Sequence, residues 1–213
     1  MEAIELKSEG LYNIIARIYN FLDWSGEVMF YRKMRKKYLG SLRNQKILEI
    51  GVGTGKNLKY YHKSNQVWGF DRSAAMLREA MQEREKRNLQ HVHLSLQEDI
   101  PWNLPTSDFD VVIATFVMCT MRNPAPVFSE ILTHIRPGKP LIIFEYTKPK
   151  SRFLRFITAL LNPLTKLVFG VDFKRSPSIE YRGEYWEVVN SNEIMGDMLK
   201  VINLRSQESE IIT

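Results

Sequence analysis

Five short apolar runs alternate with amphipathic stretches between residues 46 and 146: KILEI, QVWGFD, HVHLSL, DFDVVIATFVM and KPLIIFEY. Strand and helix patterns alternating about every 20–25 residues imply crossover connections, because parallel neighbours cannot be joined by a tight turn. The fold class that follows is α/β with a mostly parallel sheet. SAAMLREAMQEREKR reads as a helix capped by Ser73, and NPAPVFSEILTHI as another, closed by the RPGK turn. A helix is also expected to open at Asn57–His62. DFDVVIATFVM is continuously apolar, as a strand buried on both faces must be. YWEVV and MLKVINL, separated by NSNEIMGD, read as a C-terminal hairpin, which brings the strands to seven. Residues 10–40 look helical, with apolar spacing at Ile14, Ile15, Ile18, Phe21 and Leu22. Residues 152–175 are basic and apolar with Asp172 as their one acid, and read as a helical insert broken at Pro163. The expected organisation is a helical segment at 1–40 and a domain at 41–213 carrying that insert.

A composition of 44% apolar and 25% charged residues excludes disordered and fibrous classes. Cys119 is the single cysteine, so no intramolecular disulfide forms, and it reads as a small core residue. His62, His91, His93 and His134 show no metal-ligand spacing, so no metal is expected. The opening MEAIELKSEG lacks an apolar signal region, and the longest charge-free runs fall short of the ~20 residues that span a bilayer. A cytoplasmic protein is expected. The net charge of +6 admits nucleic acid, an anionic lipid surface or acidic metabolites as partners.

The first apolar run continues as ILEIGVGTGKN. Neither phosphate-loop fingerprint fits, because the Walker lysine and hydroxyl are out of register and the dinucleotide G-x-G-x-x-G spacing is absent. What fits is acid-x-G-x-G-x-G, with Glu49 on the strand followed by Gly51, Gly53 and Gly55. Alternating glycines let a backbone approach an amino-acid zwitterion and a ribose without side-chain obstruction. Asp71 ends the second strand, where a carboxylate accepts both hydroxyls of a ribose. Lys56 then reads as a surface residue.

With Asp71, Ser73, Met76 and Leu77, the run IPWNLPTSDFDVV and the block EILTHIRPGKPLIIFE, the chain resembles the class I S-adenosylmethionine-dependent methyltransferases. The resemblance implies a Rossmann-like, doubly wound, seven-stranded sheet with an antiparallel C-terminal hairpin strand and N-terminal lid helices. It implies S-adenosyl-L-methionine as cofactor, S-adenosyl-L-homocysteine as product and no metal. Its cofactor-binding positions fall on Tyr19, Glu49, Gly51, Gly53, Gly55, Asn57, Asp71, Arg72, Met76, Gln97, Glu98 and Thr115. YNIIARIYN is similar to the opening of the ubiquinone/menaquinone methyltransferases and bacterial phospholipid N-methyltransferases, where the second tyrosine, here Tyr19, reaches the cofactor under a lid helix. Asn13 and Asn20 stand where that branch carries aspartates. Leu96 stands where relatives place the aspartate that holds the adenine amino group, so Gln97 and Glu98 are expected to substitute.

Methyl transfer from a sulfonium is an in-line displacement that chiefly needs proximity and alignment. Carboxyl ends of strands border the ligand crevice in open α/β sheets, so Glu145 and Tyr146 join Tyr19 as candidate catalytic residues. A carboxylate beside an aromatic favours a cationic or amine acceptor, or polarises an acidic hydroxyl or carbon. Arg32, Lys33, Arg35, Lys36 and Lys37, with residues 152–175, suit an anionic membrane surface. The expected acceptor is lipophilic, first a phospholipid amine headgroup (phosphatidylethanolamine), then a prenylated quinone, then a small thiol or amine. An RNA methyltransferase is the reading of another class, disfavoured because no RNA-binding module is recognisable and the basic segments are too apolar. A monomer or weak dimer, peripherally attached to the membrane, is expected.

Overall fold

A computed structural model of the chain describes residues 31–121, 123–147, 178–194 and 199–207, with isolated positions between 151 and 159. Tyr19, the lid segment before residue 31 and most of the insert at 152–175 lie outside the described residues. The chain divides into two compact units, Met1–Ser41 and Leu42–Thr213. No helix among the described residues is long and apolar enough to cross a membrane.

In the first unit the described helix is α1, Arg32–Tyr38. Helical phase splits its five bases. Arg32, Lys33, Lys36 and Lys37 are exposed, whereas Arg35 is buried beside Met34. Its guanidinium lies over the Tyr31 ring, 5.7 Å from the centroid. The basic surface is therefore four residues wide, and Arg35 is withdrawn from it.

The second unit is a seven-stranded sheet of order β3-β2-β1-β4-β5-β7-β6. Its strands are β1 (Lys46–Ile50), β2 (Gln66–Asp71), β3 (Val92–Leu96), β4 (Val111–Thr115), β5 (Pro140–Tyr146), β6 (Trp186–Ile194) and β7 (Leu199–Ser206). The first five are parallel, and β7 runs antiparallel to both β5 and β6. Helix α2 (Ala74–Lys86) starts where Ser73 accepts a hydrogen bond from the Met76 N–H at 3.3 Å, and buries Leu77 and Ala80. Helix α3 (Ala125–His134) opens behind Pro124 and buries Phe128, Ile131 and His134, three residues apart on one face. That face joins Ile50, Val112, Ala114 and Ile143 in the principal core. Trp186 closes the same core, its indole N–H donating to the Phe128 carbonyl at 3.3 Å.

Three elements depart from the sequence-based expectation. Asn57–His62 forms only the short 3-10 turn Leu58–Tyr60. The fourth strand stops at Thr115, because Phe116 adopts φ +58, a left-handed conformation no strand accommodates. Conversely, β6 runs on through Ile194, and the polar NSNEI stretch expected to link the hairpin belongs to the strand. A bulge between Val188 and Asn190 resets its register against β7.

A charge cluster ties the amino ends of β1 and β4 to the turn after α3. Asp110 accepts from the Lys46 backbone N–H at 2.9 Å and from Arg136 at 2.6 Å. Asp108 accepts from Lys46 Nζ, the Thr106 hydroxyl and Arg136, and these bonds, in that order, hold its carboxyl well below the usual carboxylate range. Because the folded value is depressed, the stabilisation is present above the ordinary aspartate value of about 3.9 and is lost as pH falls through the lower folded value. Asp108→Asn is accordingly expected to flatten the decline of stability with pH below about pH 4. Urea unfolding at a series of acid pH values checks this, and an unchanged slope would sink it.

Candidate active site

Strand β1 pairs with β2 on one side and β4 on the other, so the chain reverses its direction of winding at the carboxyl end of β1. Ligands of open α/β sheets bind at such a switch point. The glycine turn sits there. Gly51 and Gly53 adopt φ +67 and +54, the left-handed region that strains other residues. The turn is held by Val52 N–H to the Phe70 carbonyl and by Gly55 N–H to the Val52 carbonyl, both at 3.0 Å.

Asp71, at the end of β2, fixes both flanks of this turn. One carboxylate oxygen accepts from the Gly53 N–H at 2.8 Å and the other from the Ser73 N–H at 2.9 Å. A carboxylate offers about four acceptor positions, so each oxygen retains capacity for one hydroxyl of a vicinal diol. A Cβ built on Gly53 meets nothing within 4 Å, which leaves open space against the turn.

On the other side of the turn, Glu49 is buried in β1 and its Oε1 accepts from Asn57 Nδ2 at 2.7 Å. The same amide donates to Thr115 Oγ1 at the end of β4, at 2.9 Å. Three chain segments are thus joined through one side-chain amide. Asn57 Oδ1 is buried without a hydrogen-bond partner among the described residues. A buried acceptor in that state destabilises unless a donor reaches it, and the zwitterion of an amino-acid moiety carries one.

The positions expected to hold the adenine lie on and after β3. Leu96 pairs in register with Asp71 and is 42% exposed, as are Met76 and Ile100 to similar extents. Gln97 does not present a free amide. Its Nε2 donates to the Asn103 carbonyl at 2.9 Å and its Oε1 accepts from the Asn103 N–H at 3.1 Å, closing the loop between them. Glu98 and Arg72 are exposed. The loop end is held by Glu130, which accepts from the Trp102 N–H at 2.7 Å and from His134 at 3.0 Å. Neither the Gln97–Asn103 nor the Trp102–Glu130 bond was readable from the sequence, since both depend on how the loop folds. Lys56, expected at the surface, is half-buried, and desolvation lowers its pKa.

Glu145 and Tyr146 end β5, but adjacent strand residues face opposite sides of the sheet. Glu145 is fully buried on the face it shares with Leu141 and Ile143, whereas Tyr146 stacks on Phe116, with centroids 4.8 Å apart and rings 22° from parallel. The carboxylate beside an aromatic that the sequence suggested is therefore replaced by an aromatic pair. Among the described residues no cluster of histidine, cysteine or carboxylate side chains could hold a metal.

Residues 48–143 match the family described as methyltransferase domain. A phosphatidylethanolamine N-methyltransferase of Cereibacter sphaeroides is 33% identical over 105 residues, covering 49% of this chain and 52% of that protein. A thiol S-methyltransferase of Mus musculus is 27% identical over 136 residues, covering 62% of this chain and 54% of that protein. The chain thus spans about half the length of these curated relatives. In fold it is similar to a solved S-adenosylmethionine-dependent methyltransferase from Aquifex aeolicus, with a TM-score of 0.66 at 17% identity, over 89% of this chain and 97% of that one.

Proposed function

We propose that the chain is a class I S-adenosylmethionine-dependent methyltransferase and that it methylates the amine headgroup of a phospholipid at an anionic membrane surface, a reading supported by the methyltransferase-domain match and the phosphatidylethanolamine N-methyltransferase relative. The observation that carries the methyl-transfer reading is Asp71, bridging the glycine turn and the start of α2 beside open space. In this reading Asp71 holds the ribose hydroxyls, and Glu49, Asn57 and Thr115 hold the methionine end. Bound there, S-adenosylmethionine would supply an electrophilic methyl group; the amine lone pair would form the new N–C bond as the C–S pair returned to sulfur, and the nitrogen would release one proton. The chain's own contribution is alignment, since an in-line displacement gains most from fixed geometry. In this reading Gly53 and Asp71 hold one end of the cofactor, and Thr115 ends β4 just before Phe116, whose ring stacks on Tyr146 at the end of β5.

The acceptor reading is supported by the phosphatidylethanolamine N-methyltransferase relative and by the exposed bases of α1. Basic residues near an anionic leaflet contribute about 1 kcal/mol each. Reversing the charge of Arg32, Lys33, Lys36 and Lys37 is expected to lower affinity for phosphatidylglycerol vesicles by at least about 100-fold in low salt. Sedimentation with vesicles checks this, and undiminished binding would remove α1 as the contact. Incubation with methyl-labelled cofactor and phosphatidylethanolamine vesicles is expected to label the lipid. The thiol S-methyltransferase relative favours a second reading, so a small alkyl thiol belongs in the same assay. Label in the thiol alone would replace the lipid by a thiol as acceptor.

A further inference from the structure

Phe116 carries φ +58, a conformation rare for any residue with a side chain and a true outlier for a bulky one. Such strain persists only where surrounding contacts hold it, and it concentrates at functional sites. The contacts here are specific. The Phe116 N–H still donates to the Phe144 carbonyl at 2.7 Å, so the backbone stays tied to β5 while the ring turns. Strand alternation would send the residue after Thr115 to the face of Ala114 and the α3 core. The left-handed turn brings its ring instead onto Tyr146, two residues beyond Phe144 on the face that Phe144 shares with Thr115. Thr115 is the residue bonded to Asn57 in the candidate methionine-holding cluster. The strained ring thus stands one residue beyond that candidate cluster.

We propose that Phe116, backed by Tyr146, is the specificity-determining wall of the acceptor site and recognises N-methylated ammonium headgroups. The inference rests on the amine reading above and deepens it. An amine methylated more than once loses its N–H donors one by one, so hydrogen bonds to it weaken at each round. Its positive charge persists, and a ring face attracts charge without needing a donor. A wall of aromatic carbon serves the later rounds where a carboxylate or amide would serve only the first. The buried position of Glu145 agrees, since it leaves the ring pair on the opposite face.

The test compares KM for vesicle-borne phosphatidylethanolamine and its N-monomethyl and N,N-dimethyl forms, using the full chain, Phe116→Leu and Phe116→Tyr. Phe116→Leu is expected to raise KM for the dimethyl form roughly 3–30-fold and for the unmethylated form less, as loss of a ring–cation contact requires. Phe116→Tyr is expected to restore the parent values. Affinity for S-adenosylhomocysteine is expected to stay within twofold, because the cradle is untouched. Phe116→Gly removes the ring while relieving the backbone, and covers the case in which leucine disturbs folding. KM values unchanged in the variants, or raised equally for all three lipids, would overturn the wall while leaving the amine reading intact. If the parent methylates none of the three lipids, the amine reading itself falls, and the wall with it.

Discussion

Asp71→Ala is expected to weaken binding of S-adenosylmethionine by roughly 100-fold or more, since hydrogen bonds to charged groups contribute about 1.5–3 kcal/mol each. Two such bonds to the ribose would be lost, and preorganisation with them. In the parent the carboxylate already accepts from the Gly53 and Ser73 N–H groups, at 2.8 and 2.9 Å. It therefore fixes the shape of the turn before any ligand arrives. Removing it leaves two backbone donors without their acceptor, so a stability loss of about 1–3 kcal/mol should accompany the affinity loss. Asp71→Asn separates the two effects. Its carbonyl oxygen still accepts from one backbone donor, but the charge and the second acceptor are gone. Most of the stability should return while the affinity stays low. Calorimetric titration with S-adenosylhomocysteine, beside thermal unfolding, reads both quantities. Binding by Asp71→Ala within threefold of the parent would move the ribose elsewhere.

What the sequence disclosed and what it withheld divide along physical lines. QVWGFD is β2 from first to last residue, and Ser73 caps α2, because alternation and capping are local signals. The placement of Glu49, Asp71 and Thr115 around the glycine turn was legible for a related reason, since strand ends and glycine turns fix where side chains emerge. The burial of Arg35 was legible in part, because helical phase turns it, with Met34, away from Lys33 and Lys37. So was the opposition of Glu145 and Tyr146, which follows from the period of two. The left-handed conformation of Phe116 was not legible. Nothing in ATFVM announces a left-handed phenylalanine, and only tertiary contacts can hold one. The engagement of Gln97 by Asn103 was likewise hidden, because it depends on how the five residues between them fold. NSNEI has little intrinsic strand preference and is strand because β7 pairs with it.

Alanine at Gly51 and at Gly53 should harm the protein in different ways, and the difference isolates what the glycines do. A Cβ on Gly51 would stand 2.7 Å from Val117 Cγ2 and 2.9 Å from Val117 Cβ, with φ at +67. Val117 is packed against the core and cannot simply swing aside. Overpacking of about 1–3 kcal/mol and a left-handed alanine at about 1–2 kcal/mol give roughly 2–5 kcal/mol of destabilisation. For a chain of this size that lowers Tm by about 5–15 °C. Gly53 has φ +54 but nothing within 4 Å of its Cβ position, so only the backbone contribution of about 1–2 kcal/mol applies. Its methyl group would instead enter the open space against the turn, beside the Asp71 carboxylate that the Gly53 N–H engages. Gly53→Ala is therefore expected to unfold within a few degrees of the parent yet bind S-adenosylhomocysteine at least about 10-fold more weakly, as a one-methyl clash in a fitted site implies. Gly51→Ala should show the larger thermal shift. If Gly53→Ala binds as tightly as the parent, the space beside Gly53 is not cofactor space, and its glycine serves the turn alone.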